Sequence, residues 1–179
     1  MSDEEQTTMA SKTPANLAAT RGAARLMAVQ ALYQLEMRGS SADATIMEFL
    51  QHRTEIVDED EDTTLHLDAD RALFADLVCG VSKSREDLGA ALGGSLDGGL
   101  GSARLEPLLR AILLAGADEL RSRNDIPAKV AISEYVHLTD AFFDGKEPGL
   151  VNAVLDRLAR VLRDGEVGNT KTAGDGATH

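Results

Sequence analysis

Two arginines four residues apart are the residues of this chain with the clearest chemical potential. Arg21 and Arg25 come just before the apolar run from Ala28 to Tyr33. Because residues four apart lie on one face of a helix, the spacing predicts that both guanidinium groups point the same way. A guanidinium is a rigid plane of N–H donors that binds phosphate oxygens well. The pair therefore predicts a contact with a nucleic-acid backbone, with pairing to nearby carboxylates as the alternative.

The rest of the chain is acidic, which limits what this arginine pair can do. The 179 residues carry 18 Lys and Arg against 30 Asp and Glu, a formal net charge of −12. Proteins that coat nucleic acid without sequence preference need a broad basic surface, so that class is excluded. A small basic patch directed at one RNA is compatible with this composition. We expect no DNA binding. We also expect no membrane insertion, since no apolar stretch approaches the roughly 20 residues that span a bilayer.

Motifs for catalysis and for metal binding are missing from the sequence. It contains no Gly-x-Ser-x-Gly elbow, no phosphate-binding loop and no His-Glu-x-x-His pair. Cys79 is the single cysteine, and its apolar neighbours predict a buried thiol rather than a zinc ligand. The acidic N-terminus lacks the apolar segment of a secretory signal. We therefore expect a cytoplasmic protein without enzymatic activity, cofactor or metal.

Apolar residues at steps of three and four predict an all-α protein of about seven helices. The clearest pattern covers residues 102–122, where Pro107 is compatible only with the first turn of a helix. Gly39 is predicted to end the first helix, and Pro148 is predicted to begin the last. No alternating pattern typical of strands competes with these helices.

The helical patterns lie within one domain, predicted to cover residues 15–163. Residues 1–14 and 164–179 are polar or glycine-rich and are predicted to be disordered tails. Residues 53–67 contain five consecutive acids at 58–62, and this run predicts a long solvated loop because like charges repel.

Three motifs, in the same order and spacing, resemble the NusB family of bacterial transcription antitermination factors. The stretch Arg21 to Tyr33 resembles the family's arginine-containing motif that runs into Ala-Val-Gln-Ala-Leu-Tyr. The stretch Ile112 to Glu134 is similar to a helix that ends in Glu-Leu and is followed by Pro-x-Lys-Val-Ala-Ile-Asn-Glu, with Ser133 in place of the asparagine. The stretch Leu150 to Asp156 resembles Phe-Val-Asn-Gly-Val-Leu-Asp. The resemblance covers about residues 18–163.

The resemblance implies a fold and a function. The family fold is a compact all-helical domain made of two packed sub-bundles. Its members bind boxA RNA in the leader and spacer of ribosomal RNA transcripts, best as a heterodimer with NusE, a small-subunit ribosomal protein. The complex helps RNA polymerase to read through terminators, without catalysis and without a cofactor.

Residue chemistry and the resemblance together predict two sets of site residues. The predicted RNA-binding residues are Arg21, Arg25, Tyr33, Lys129 and Asn152. Glu119 and Glu134 are predicted to face the basic partner NusE, with intramolecular pairing as the alternative. For Tyr33 the alternative is core packing, and for Asn152 it is a structural hydrogen bond to another helix.

Departures from the family motifs predict a weak intrinsic hold on RNA. Gly22, Ala23 and Ala24 separate the two arginines where the family carries more basic residues, and Leu150 replaces an aromatic residue. We therefore expect NusE to raise the RNA affinity at least tenfold. Replacing both arginines by Ala should weaken RNA binding and leave thermal stability nearly unchanged. The alternative function is an RNA-independent helical interaction module with a vestigial basic patch.

Overall fold

The prediction of an all-α protein with seven helices is confirmed by a computed structural model. It describes residues 14–52, 55–57, 64–66, 69–96 and 104–164. The helices in these ranges are α1 (Pro14–Arg38), α2 (Ala42–His52), α3 (Arg71–Lys83), α4 (Arg85–Ser95), α5 (Pro107–Ser122), α6 (Ala128–Asp140) and α7 (Glu147–Leu162). The two predicted tails lie outside the described residues apart from residues 14 and 164.

A short β-hairpin corrects the prediction of an uninterrupted loop over residues 53–67. Strand β1 (Glu55–Val57) pairs antiparallel with β2 (Thr64–His66), with Glu55 opposite His66 and Val57 opposite Thr64. Strands of three residues are too short to show an alternating pattern in the sequence, so the pairing was missed. The acidic run 58–62 lies outside the described residues.

Local signals define the helix ends much as predicted. Gly39 has φ of 66° and ends α1 in the left-handed conformation that glycine adopts without steric cost. The Glu106 carboxylate accepts from the Leu109 N–H at 3.0 Å and caps α5, so Pro107 falls in the first turn. Asp70 caps α3 in the same way, accepting from the Leu73 N–H at 3.0 Å.

Helix α5 is the centre of the fold. Every residue from Ala111 to Leu120 is buried, and α5 contacts α1, α3, α4, α6 and α7. On the α2–α3 side, the rings of Phe49 and Phe74 stack with centroids 5.9 Å apart. Cys79 packs against this core, as expected for a core thiol, but it is only partly buried. In the described part of the chain, no helix is both long enough and apolar enough to cross a membrane.

A glycine allows α3 and α5 to approach each other around a buried carboxylate. The Asp118 carboxylate occupies the space where a Cβ at Gly80 would lie. Asp118 is 2% exposed and accepts from Arg121 at 2.6 Å. Burial raises the pKa of the Asp118 carboxyl, and the Arg121 contact opposes that rise. The close packing therefore depends on the missing side chain at Gly80.

Replacing Gly80 by Ala should lower the free energy of unfolding by about 1–3 kcal/mol, because Asp118 must move within a packed interface. Urea unfolding at neutral pH measures the change. Gly93→Ala is the matched control, since a Cβ there meets nothing within 4 Å and Ala in a helix is favoured over Gly by about 0.5–1 kcal/mol. An equal effect of both substitutions would contradict the proposed clash with Asp118.

Candidate functional site

A buried ion cluster lies where α1, α5 and α6 meet. Arg25 is 2% exposed, and its Nη2 and Nε lie 2.6 Å and 3.0 Å from the Glu119 carboxylate oxygens. Its Nη1 donates to Glu134 at 3.2 Å. The Tyr135 hydroxyl donates to Glu119 at 2.7 Å. These four residues, named here the buried ion cluster, tie three helices together through charge-assisted hydrogen bonds.

The electrostatics of the buried ion cluster favour the charged arginine and the neutral tyrosine. Burial opposes the charge on Arg25, but the hydrogen bonds and charge of Glu119 outweigh it, so the pKa of Arg25 is raised. Burial, together with the Glu119 charge, raises the pKa of Tyr135 well above its usual value. Tyr135 therefore stays a hydrogen-bond donor to Glu119 throughout the physiological range.

The buried ion cluster corrects two predictions made from the sequence. Arg21 and Arg25 do share a helix face, but Ala28 and Leu32 lie on that same face and are fully or almost fully buried. The face is thus the inner one, and Arg25 is not available to RNA phosphates. Because Arg25 is buried and paired with two carboxylates, we now expect replacement of both arginines to lower stability, contrary to the expectation from the sequence.

Glu119 does not lie on the surface that was predicted to face NusE. It is 0% exposed and holds Arg25, so no partner can reach it. The side chain of Glu134 is 33% exposed and remains reachable beside its pairing with Arg25. Glu119 is therefore used for intramolecular pairing instead of partner binding, whereas Glu134 pairs with Arg25 and also remains accessible to a partner.

Arg21 differs from Arg25 because it stays partly open to solvent. Its side chain is 27% exposed, and its closest ionic neighbour is Asp125, with Nη2 and Oδ2 3.8 Å apart. That distance is too long for a hydrogen bond. Among the described residues, the Arg21 Nε is a buried nitrogen without a hydrogen-bond partner. Arg21 therefore keeps donors that an anion could use.

The other two polar RNA-binding candidates lie on the surface. Lys129 is exposed in the first turn of α6, and Asn152 is exposed near the start of α7. No hydrogen bond to the Asn152 side chain occurs within the described residues, so the structural alternative receives no support. Both side chains are free to contact a ligand, and the sequence candidates that remain open are Arg21, Tyr33, Lys129 and Asn152.

The outward face of α1 is uncharged and leads into a groove. This face consists of Ala19, Ala23, Leu26, Gln30, Tyr33 and Met37, which are half-buried or exposed. Tyr33 is 37% exposed and Met37 is 59% exposed, so the core-packing alternative for Tyr33 is wrong. A groove of about 470 Å³ at the end of this face also includes a charged residue, and it is lined by Gln30, Tyr33, Gln34, Met37, Arg38, Leu108 and Phe142. Met37 and Phe142 were missed in the sequence, although Met37 follows Tyr33 at helical spacing on the side opposite the core.

Comparison with known proteins places this arrangement in a family. The model of the NusB family matches residues 22–160. The chain belongs to the NusB family. It is 45% identical to the transcription antitermination protein NusB of Bradyrhizobium sp. (strain ORS 278), over 83% of this chain and 86% of that protein. The NusB of Bartonella henselae (strain Houston 1) is 45% identical, over 82% of this chain and 91% of the relative. The structure of T. maritima NusB shares the fold, with a TM-score of 0.61 at 23% identity, covering 78% of this chain and 90% of that one.

Membership of the NusB family gives the coarse function of the chain. NusB proteins are non-enzymatic, RNA-binding factors of transcription antitermination, so the expected lack of catalysis is confirmed. The resemblance seen in the three motifs is confirmed over most of the chain. Three of the four open candidates, Tyr33, Lys129 and Asn152, fall within the matched residues, and Arg21 lies directly before them.

Proposed function

We propose that the chain binds boxA-type RNA of ribosomal RNA transcripts together with NusE, and so helps RNA polymerase to read through terminators. The observation that carries the proposal is the family match over residues 22–160. In this proposal the protein acts in the cytoplasm, where transcripts are made. Arg21, Lys129 and Asn152 contact the RNA, while Arg25 is reassigned from RNA contact to holding α1 in place.

The exposed polar residues support an RNA contact of modest strength. Lys129 is an exposed cation and Arg21 is a partly exposed one. Two phosphate contacts give weak binding with a shallow salt dependence. This matches the acidic chain, whose net charge of −12 repels RNA elsewhere. A second, basic RNA-binding protein would add contacts that this chain lacks.

The groove beside Tyr33 supplies a further contact in the proposal. An exposed tyrosine ring can stack on a nucleobase, which is typically worth about 1–3 kcal/mol per base. Leu150 stands where the family motif has an aromatic residue, so the rings available for stacking beside the groove are those of Tyr33 and Phe142. Glu134, which is half-buried, is the remaining acid proposed to face NusE.

The uncharged outer face of α1 favours a second candidate function. With Arg25 buried, no charged side chain lies on that face from Ala19 to Met37. Uncharged, partly apolar helix faces are typical of protein contacts. An RNA-independent interaction module would use this face and the groove without any phosphate contact.

A binding titration separates the two functions. Fluorescence anisotropy of a labelled boxA RNA, with and without NusE at one salt concentration, should show at least tenfold tighter binding with NusE, or about 1.4 kcal/mol of coupling. By linkage, RNA should tighten NusE binding by the same factor. Equal RNA affinity with and without NusE would contradict the cooperation, and NusE binding without any RNA binding would favour the interaction module.

Single substitutions in the same titration test the residues. Arg21→Ala and Lys129→Ala should each weaken RNA binding and flatten the slope of log K against log salt by about 0.7, the value for one phosphate of a single strand. Lys83→Ala, an exposed change at the end of α3, is the control. Variants that match the control in both affinity and slope would show that the two cations do not touch RNA.

A further inference from the structure

The turn between α5 and α6 brings two arginines to one carboxylate. Arg123 donates from Nε to Asp125 Oδ1 at 2.9 Å and from Nη2 to Oδ2 at 3.1 Å. Arg21, from α1, lies 3.8 Å from the same Oδ2. Arg123 also approaches Asp76 of α3 at 3.4 Å. Arg21 and Arg123 therefore converge on the Asp125 carboxylate, and Asp76 is a second carboxylate beside Arg123.

Solvent exposure shows which of these side chains an approaching ligand would contact first. The side chains of Arg21 and Arg123 are 27% and 23% exposed, whereas that of Asp125 is 53% exposed. The hydrogen bonds of Arg123 lower the pKa of Asp125, so this carboxylate stays charged in neutral solution. An approaching anion thus meets a fixed negative charge in front of two cations.

The backbone beneath this set is fixed by a buried guanidinium. Arg163, which follows α7 and is 7% exposed, donates to the carbonyl of Arg123 at 2.7 Å and to that of Ile126 at 2.6 Å. The Ile126 N–H in turn donates to the Arg123 carbonyl at 3.2 Å. The backbone of the turn is thus fixed, so any displacement of Asp125 has to come from rotation of its side chain.

We propose that Arg21 and Arg123 form a phosphate-binding site for the RNA backbone, and that Asp125 occupies this site in the free protein as an internal competitor. The exchange replaces one singly charged anion by another, since a phosphodiester takes the place of the carboxylate. Arginine binds phosphate oxygens through two parallel N–H donors, as Arg123 now binds Asp125. The proposal rests on the proposed function for its ligand, and it adds Arg123 and Asp125 to the RNA-facing residues.

If Asp125 competes with RNA for the two arginines, its removal should have the opposite effect from the loss of an RNA contact. Removing the acid should strengthen RNA binding rather than weaken it. Asp125→Asn should tighten boxA RNA binding by about three- to fivefold, the equivalent of one exposed ion pair, and steepen the salt slope by about 0.7. If the Asn side chain still accepts a hydrogen bond from Arg123, Asp125→Ala is the variant to measure, because it removes the acceptor as well as the charge.

Two control variants distinguish a local site from a change in overall charge. Asp87→Asn makes the same charge change on an exposed residue of α4 and should leave the affinity within about twofold. Adding Arg123→Gln to Asp125→Asn should abolish the gain. An unchanged or weaker affinity of Asp125→Asn would overturn the proposal, as would an equal gain from Asp87→Asn.

A second measurement judges the site even if the RNA function fails. Inorganic phosphate is titrated into the full chain while the arginine Nε–H signals are followed by NMR. Shifts of the Arg21 and Arg123 signals that are larger in Asp125→Asn than in the wild type support the anion site. Their absence in both proteins overturns it. Lack of RNA binding by the wild type, with or without NusE, overturns the proposed function instead.

Discussion

Replacing Glu119 by Ala should lower the free energy of unfolding by about 3–5 kcal/mol, because it leaves a buried charge without its main partner. Arg25 would keep only Glu134, at 3.2 Å. The Tyr135 hydroxyl would lose its acceptor in a site that is 0% exposed. Urea unfolding at neutral pH, followed by circular dichroism, measures the change.

Two further variants show whether burial is the cause. Glu134→Ala removes the partly exposed partner of Arg25 and should cost less, about 1 kcal/mol, because the Glu119 carboxylate still holds the guanidinium. Glu119→Gln keeps an acceptor in place, so its loss of unfolding free energy should lie between those of Glu119→Ala and Glu134→Ala. A loss in Glu119→Ala no larger than that in Glu134→Ala would contradict the role assigned to the buried ion cluster.

The second large effect is expected at Arg163, whose guanidinium closes the end of α5. Besides the two turn carbonyls, it donates to the carbonyl of Leu120 at 2.7 Å and to that of Glu119 at 3.3 Å. The last carbonyls of a helix lack partners within the helix and must find them elsewhere. Arg163→Ala should therefore destabilise the fold by about 3 kcal/mol, since hydrogen bonds to a charged group contribute about 1.5–3 kcal/mol each and are not additive.

Arg160→Ala is the matched control for Arg163→Ala. Arg160 lies three residues earlier in the chain and forms an exposed pair with Asp156 at 2.9 Å. Its replacement should change the free energy of unfolding by no more than about 0.5 kcal/mol. Arg163→Lys, which keeps the charge but not the fork of donors, should recover part of the loss. Similar melting temperatures for Arg160→Ala and Arg163→Ala would show that the carbonyl contacts contribute little.

Much of the fold was readable from local signals. The apolar spacing along α5 and α7 predicted helices because a helix must bury one continuous stripe. Gly39 and Pro107 marked helix ends, since their conformational limits act within a few residues. The β-hairpin escaped detection, because strands of three residues form no pattern and depend on pairing across the loop.

The site could be read only in part. The spacing of Arg21 and Arg25 correctly predicted that they lie on one face of α1. The apolar residues Ala28 and Leu32, which follow on that face and are buried, indicated that it is the inner face. Lys129 was proposed from its charge and from the family resemblance, and its exposure could not be predicted from the sequence. Which arginine is buried depends on the carboxylates that α5 and α6 bring to it, and these lie 94 and 109 residues away in the chain.

The sequence by itself determined the helices, their ends and the family of the protein, because these depend on neighbours within a few turns and on motifs that keep their order. Only the tertiary structure decided the roles of the charged residues. Glu119 became the buried partner of Arg25, and Asp125 came to lie between two arginines from different elements. The reason is physical: the energy of a charge is set by its distance to other charges and by its exposure to water, and both are fixed by packing between distant segments.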